Sequence, residues 1–177
     1  MKRTTSLWIA LAILLADQFT KALVVLRFTD DTAVPVIPGL FRLVRVENPG
    51  IAFGLLSESA SVWTSLMLVL FSLGAIGMVV ALLWRSCPSA RAAGLGLGLI
   101  LGGATGNLID RLLRGRVVDF LDVYVGSYHW PAFNIADSAI CIGAAAVLWS
   151  LLVPRPARRE PAHAQCPQGG KKRAESV

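Results

Sequence analysis

GGATGNLIDRLLRGRVVDFLDVYVGSYHWPAFNIAD, residues Gly102 to Asp137, closes one apolar run and opens the next. Within it stand Asp110, Arg111, Asp119, Asp122, Asn134 and Asp137. A carboxylate at the edge of hydrocarbon must be paired, hydrated or protonated, so ionisable groups gathered where two runs surface point to function. The stretch predicts two membrane spans joined outside the bilayer, with a two-aspartate site where they emerge.

Outward from it, four runs are long enough to cross a hydrocarbon core, for which a helix needs about 20 residues: Leu7–Leu26, Val62–Trp84, Ala92–Ile109 and Ile135–Val153. With 55% hydrophobic and only 16% charged residues the chain is more apolar than soluble domains are. The predicted class is an all-α polytopic membrane protein, one four-helix domain over residues 1–153. Residues 154–177, rich in Pro, Gly and charge, read as a disordered basic tail.

The net charge of +6 is unevenly spread. Lys2, Arg3, Arg85, Arg91, Arg155, Arg158, Arg159, Lys171, Lys172 and Arg173 are more than half of the 17 basic residues, and four spans put them all on one side. By the positive-inside rule that side, with both termini, is cytoplasmic, and segments 27–61 and 110–134 face outward. A solvated tail that helps fix topology explains the basic C-terminus better than nucleic-acid binding, which wants a folded basic surface. Cys87, Cys141 and Cys166 offer no outward disulfide framework, and no His or Cys set has metal-ligand spacing, so neither metal nor cofactor is expected.

The opening MKRTTSLWIALAILLA resembles a signal peptide, but its only A-x-A, Ala10 to Ala12, lies inside the apolar run, so an uncleaved first span is expected. Asp17 and Lys21 within it are spaced i,i+4 and share a helical face. A self-neutralised pair fastening this helix to its neighbours is the main reading, with direct catalysis by Asp17 the alternative. The second run carries no charge and reads as lipid-facing scaffold. In the third, Gly94, Gly98, Gly102 and Gly106 make a small-residue ridge for close helix packing, while Gly103, Asn107 and Arg111 form a second row leading an amide and a guanidinium to the outer mouth of the bundle. Phe41–Val46 has the pattern of a short strand, and Val117–Val125 that of a strand or interfacial segment. Tyr124, Tyr128, His129 and Trp130 suit the headgroup zone.

Asp119 and Asp137 bracket an excursion that leaves the membrane and returns, so their carboxyls can meet at one depth. Two close carboxylates share a proton, one acting as base on a water while the other donates to a carbonyl or leaving amine. The alternatives are structural: Asp137 as a helix cap and Asp119 as a hydrated loop residue. A proton-relaying carrier and a lipid hydrolase are the rival functions, though no internal repeat of the transporter kind is visible.

Five motifs in order, DQFTK (Asp17–Lys21), NPGIAFG (Asn48–Gly54), GGATGNLIDR (Gly102–Arg111), VVDF (Val117–Phe120) and FNIAD (Phe133–Asp137), resemble those of bacterial lipoprotein signal peptidase, or signal peptidase II. The resemblance covers about residues 7 to 153. It implies an aspartyl endopeptidase of the bacterial inner membrane, with its site near the outer face, that cuts diacylglyceryl-modified prolipoproteins just before the lipid-bearing cysteine. It further implies that Asp119 and Asp137 are the catalytic pair, that Asn48, Asn107, Arg111 and Asn134 hold substrate, and that Asp17, Lys21 and Asp110 support the site. A small β-rich extracytoplasmic cradle around Phe41–Ser61 would sit over the spans among membrane lipids, and globomycin-type cyclic peptides would inhibit.

Overall fold

The computed structural model describes residues 3–30, 32–49, 62–85 and 91–153. Four helices, α1 (Arg3–Arg27), α2 (Val62–Arg85), α3 (Arg91–Arg114) and α4 (Ile135–Leu152), are long and apolar enough to cross a membrane. Even the 18 residues of α4 reach about 27 Å at 1.5 Å each, close to a hydrocarbon core. The four expected runs overlie the four helices, with α1 starting at Arg3, about one turn before Leu7, and α3 continuing about one turn past Ile109. Asp110 and Arg114 pair at 2.7 Å along that last turn, and Gly115, at φ +70°, ends it in a left-handed conformation that costs glycine nothing.

The hub is α3. Half of its apolar window is buried, against 22% of α1, 17% of α4 and 11% of α2. Glycine explains the difference, because a missing Cβ lets a neighbouring backbone approach. A Cβ on Gly98 or Gly102 would lie 2.7 Å from the Ser6 carbonyl oxygen or 2.5 Å from that of Ala10, so one face of the helix rests on α1. On another face Gly96 meets Gly143 of α4, and Gly103 lies against the Ala136 carbonyl. The outermost helix, α2, touches the rest through Val79 and Leu83, packed with Leu97, and leaves Trp63, Phe71, Met78 and Trp84 exposed as lipid-facing residues.

At the end of the bundle where α1 and α3 finish and α4 begins, four strands, β1 (Ala33–Ile37), β2 (Phe41–Asn48), β3 (Val117–Val125) and β4 (Tyr128–His129), pair antiparallel in that order. The expected strand at 41–46 is the core of β2, and Val117–Val125 is a strand. The sequence pattern does not reveal β1, because Pro35 looks like a break; an edge strand tolerates it, having one side that needs no donor. Val118 and Phe120 of β3 bury against Val24 of α1 and fasten the sheet to the bundle. Arg45 of β2 donates to the Phe28 carbonyl at 3.0 Å, tying the sheet to the chain leaving α1. Residues 50–54 of NPGIAFG, the rest of the expected cradle segment up to Ser61, and the basic tail lie outside the described residues.

Candidate active site

Asp119 is carried by β3 and Asp137 by the first turn of α4. Ahead of α4, Phe133 pairs with Leu121 of β3, exchanging backbone bonds of 2.8 and 3.0 Å. This bridge lays the residue that starts α4, Asn134, beside Asp119. Asn134 is the N-cap of α4, and its side-chain oxygen accepts from the Asp137 N–H at 2.9 Å. Its backbone N–H donates to Asp137 Oδ2 at 3.3 Å, completing a capping box. The remaining Asn134 group, Nδ2, donates to Asp119 Oδ1 at 2.7 Å. One fully buried asparagine thus holds both carboxyls, which makes them near neighbours.

Two other amides complete the frame. Asn48, at the end of β2, donates to Asp119 Oδ2 at 3.2 Å, and Asn107 of α3 donates to Asp137 Oδ1 at 2.8 Å. Arg111, one turn beyond Asn107, donates to the Asn107 carbonyl at 3.2 Å and lies within electrostatic reach of Asp137, Asp119 and Asp110. It forms no ion pair among the described residues. Asp119 is 3% exposed. Burial first, and then the charge of Asp137, push its carboxyl up to about 7, against the bonds from Asn48 and Asn134 that favour the ionised form. Asp122 shows the opposite balance. Three residues along the strand and so on its other face, it is bound by Arg42 at 2.6 Å and His129 at 3.0 Å, and these bonds outweigh its burial and hold it below the ordinary carboxylate range.

Beneath the pair lies a dry ionic cluster. Lys21 Nζ meets Asp17 Oδ2 at 2.8 Å, Asp110 Oδ2 at 2.8 Å and Asn107 Oδ1 at 2.9 Å. The expected Asp17–Lys21 pair is present, and Asp110 joins it from α3. Asp17 also accepts from the Ala136 N–H at 3.0 Å, so α1 holds the first turn of α4 directly. Two further side chains of this cluster, Gln18 and Arg114, carry no role in the motif pattern. The Gln18 amide donates to the Gly106 carbonyl at 3.1 Å and sits within 3.4 Å of Asp17 and Asp110, and Arg114 pairs with Asp110. Their spacing from Asp17 and Asp110 is the signal that could have found them: next to the first, i,i+4 from the second.

Such a frame fits hydrolysis. A carboxyl held neutral near pH 7 can donate to a substrate carbonyl while its partner takes a proton from water. The nearby guanidinium supplies positive charge where an oxyanion would develop.

A sequence profile described as "Signal peptidase (SPase) II" matches residues 9–153. The lipoprotein signal peptidase of Solibacter usitatus is 45% identical over 147 residues, covering 83% of this chain and 90% of the relative. That of Klebsiella pneumoniae is 38% identical over 156 residues, covering 88% and 93%. A bacterial membrane enzyme solved by the in meso method at 2.3 Å superposes with a TM-score of 0.76 at 30% identity, covering 84% of this chain and 88% of that one. Another, at 1.9 Å, gives 0.75 at 28% identity, covering 84% and 93%.

Proposed function

Because the chain belongs to the signal peptidase II family, and so is an aspartic protease that removes signal peptides from prolipoproteins, we propose that Asp119 and Asp137 are the pair that activates the hydrolytic water. The observation that carries this reading is Asn134, whose side chain holds Asp119 while its backbone holds Asp137. Asn48 and Arg111, both only partly buried, face the substrate strand; Asn107 and Asn134 act on it through the carboxyls they orient.

The substrate is a prolipoprotein whose cysteine already bears diacylglyceryl, and the bond just before that cysteine is cut. Apolar helices that end beside the carboxyls suit a signal helix lying in the bilayer with its scissile bond at the surface. Globomycin-type cyclic peptides compete at the same place. The membrane is the bacterial inner membrane, with both termini cytoplasmic and the site outward. Arg3 supports that orientation, since its guanidinium donates to the Trp84 carbonyl at 2.7 Å and so sets the first turn of α1 beside the last turn of α2, which ends in Arg85.

Incubation of the purified protein with a diacylglyceryl-modified prolipoprotein tests the reading. The released peptide should have the mass of the signal sequence ending one residue before the cysteine. An uncleaved modified substrate, or release of a fatty acid instead, would overturn it.

A further inference from the structure

The ionic cluster in the membrane does more than neutralise charge, and its further role rests on the proposed catalytic pair. An ammonium has three donors and no acceptor, and Lys21 spends its three on Asp17, Asp110 and Asn107. The Asn107 atom 2.9 Å from Nζ must therefore be the amide oxygen, because an NH2 group there would set donor against donor. That oxygen also accepts from Asn134 Nδ2 at 3.3 Å. With the oxygen turned toward α1, the Asn107 NH2 can only face the other way, and there it donates to Asp137 Oδ1 at 2.8 Å.

We infer that Lys21 is a positioning residue for catalysis: by fixing which way the Asn107 amide points, it sets the donor that orients Asp137, besides fastening α1 to α3. Side chains on α1, α3 and α4 then form one chain of contacts from a fully buried cation to the reacting carboxyl. Lys21 itself, saturated and without exposure, has no proton to offer the substrate. Without it only the longer bond from Asn134, at 3.3 Å, holds that oxygen in place, and a flipped amide places an oxygen against Asp137. The groups facing this chain are Asp17 on α1, Asp110, Arg111 and Arg114 on α3, Asp119 on β3 and Asp137 on α4. The charge of Lys21 also reaches Asp119 and favours its ionised form.

Replacing Lys21 alone leaves the buried Asp17 without a counter-ion, whereas Asp110 keeps Arg114 at 2.7 Å, so the test is the double variant Lys21→Met, Asp17→Asn compared with Asp17→Asn. Both are assayed on the diacylglyceryl-modified substrate across pH, with melting temperature measured in detergent. The relay expects the double variant to melt near its reference, to keep its KM, to lose about tenfold or more in kcat through the misplaced donor, and to move the alkaline limb of its pH profile upward. Equal kcat and an unmoved limb would reduce Lys21 to a fastener. If the double variant does not fold, Asn107→Asp decides: it keeps an acceptor for Lys21 and cannot donate to Asp137. A stable Asn107→Asp protein with kcat reduced to a similar degree supports the relay, and one with unreduced kcat overturns it. Failure of the unmodified enzyme to cleave would instead sink the proposed function, so the two failures are distinct.

Discussion

Asp119 carries a conflict that sets the pH behaviour of the site. Its carboxyl titrates at about 7 in the folded protein, against about 3.9 in an unfolded chain, so the folded state keeps a proton that the unfolded state has lost. Its contribution to stability is complete below about pH 3.9 and is lost as the pH rises through about 7. Asp119→Asn, which never ionises, should therefore gain melting temperature over the unchanged protein above pH 7 and show little gain near pH 4; a constant difference across that range would contradict the raised pKa. In the proposed mechanism the same proton governs turnover, because a doubly ionised pair has no acid to give. We expect kcat/KM to fall on the alkaline side with an apparent pKa near 7, read from initial rates. Asp119→Asn and Asp137→Asn should each abolish cleavage while preserving the fold, since an amide still accepts from Asn134 at either position. Substantial turnover by either purified variant would falsify the pair.

Two elements place those carboxyls, and each does so by local chemistry. In α3 the glycines allow close contact, and Gly106 also makes room for a charge, since a Cβ there would lie 2.5 Å from Asp17 Oδ2. Gly106→Ala must push that carboxylate off the Ala136 N–H and off Lys21, whereas Gly102→Ala meets only Ala10 and Ile13 of α1, away from the ionic cluster. Both substitutions should destabilise by about 1–3 kcal/mol, as overpacking does. Gly106→Ala alone should also disturb the start of α4 and reduce kcat beyond what the stability loss explains. Paired thermal melts and single-turnover rates separate the two effects. At the start of α4 the capping box makes a helix terminus part of the reaction centre. Capping and catalysis, which stand as alternatives for Asp137 in the sequence, are compatible in the fold, for one oxygen accepts from the cap while the other faces Asn107.

Across the whole molecule, Arg3, Arg85 and Arg91 lie at the end of the helices away from the sheet, and the proposed orientation rests on that asymmetry. Cysteine introduced in Asp30→Cys, whose carboxylate is 82% exposed beyond α1, should react in intact cells with a membrane-impermeant maleimide, and Thr4→Cys should react only after lysis. The reverse pattern would invert the assignment of inside and outside. The four spans were readable because hydrocarbon imposes a length and a polarity that any local window of residues reveals. The acids, amides and glycine rows were readable for the same reason, being out of place in that setting. Other features had no local signature. The last turn of α3 is polar and looks like loop, yet the Asp110–Arg114 pair and the stop at Gly115 keep it helical. In the sequence Asn134 stands out only as a residue that the resemblance makes hold substrate; the bridge from Phe133 to Leu121 turns it into the N-cap that joins Asp119 to Asp137. The sequence by itself determined how many times this chain crosses the membrane and which polar groups had to find partners. Which partners they found was decided by tertiary structure, because a hydrogen bond depends on ångström distances between α1, α3, β3 and α4, and residues as far apart as Asp17 and Ala136 meet only when the helices pack.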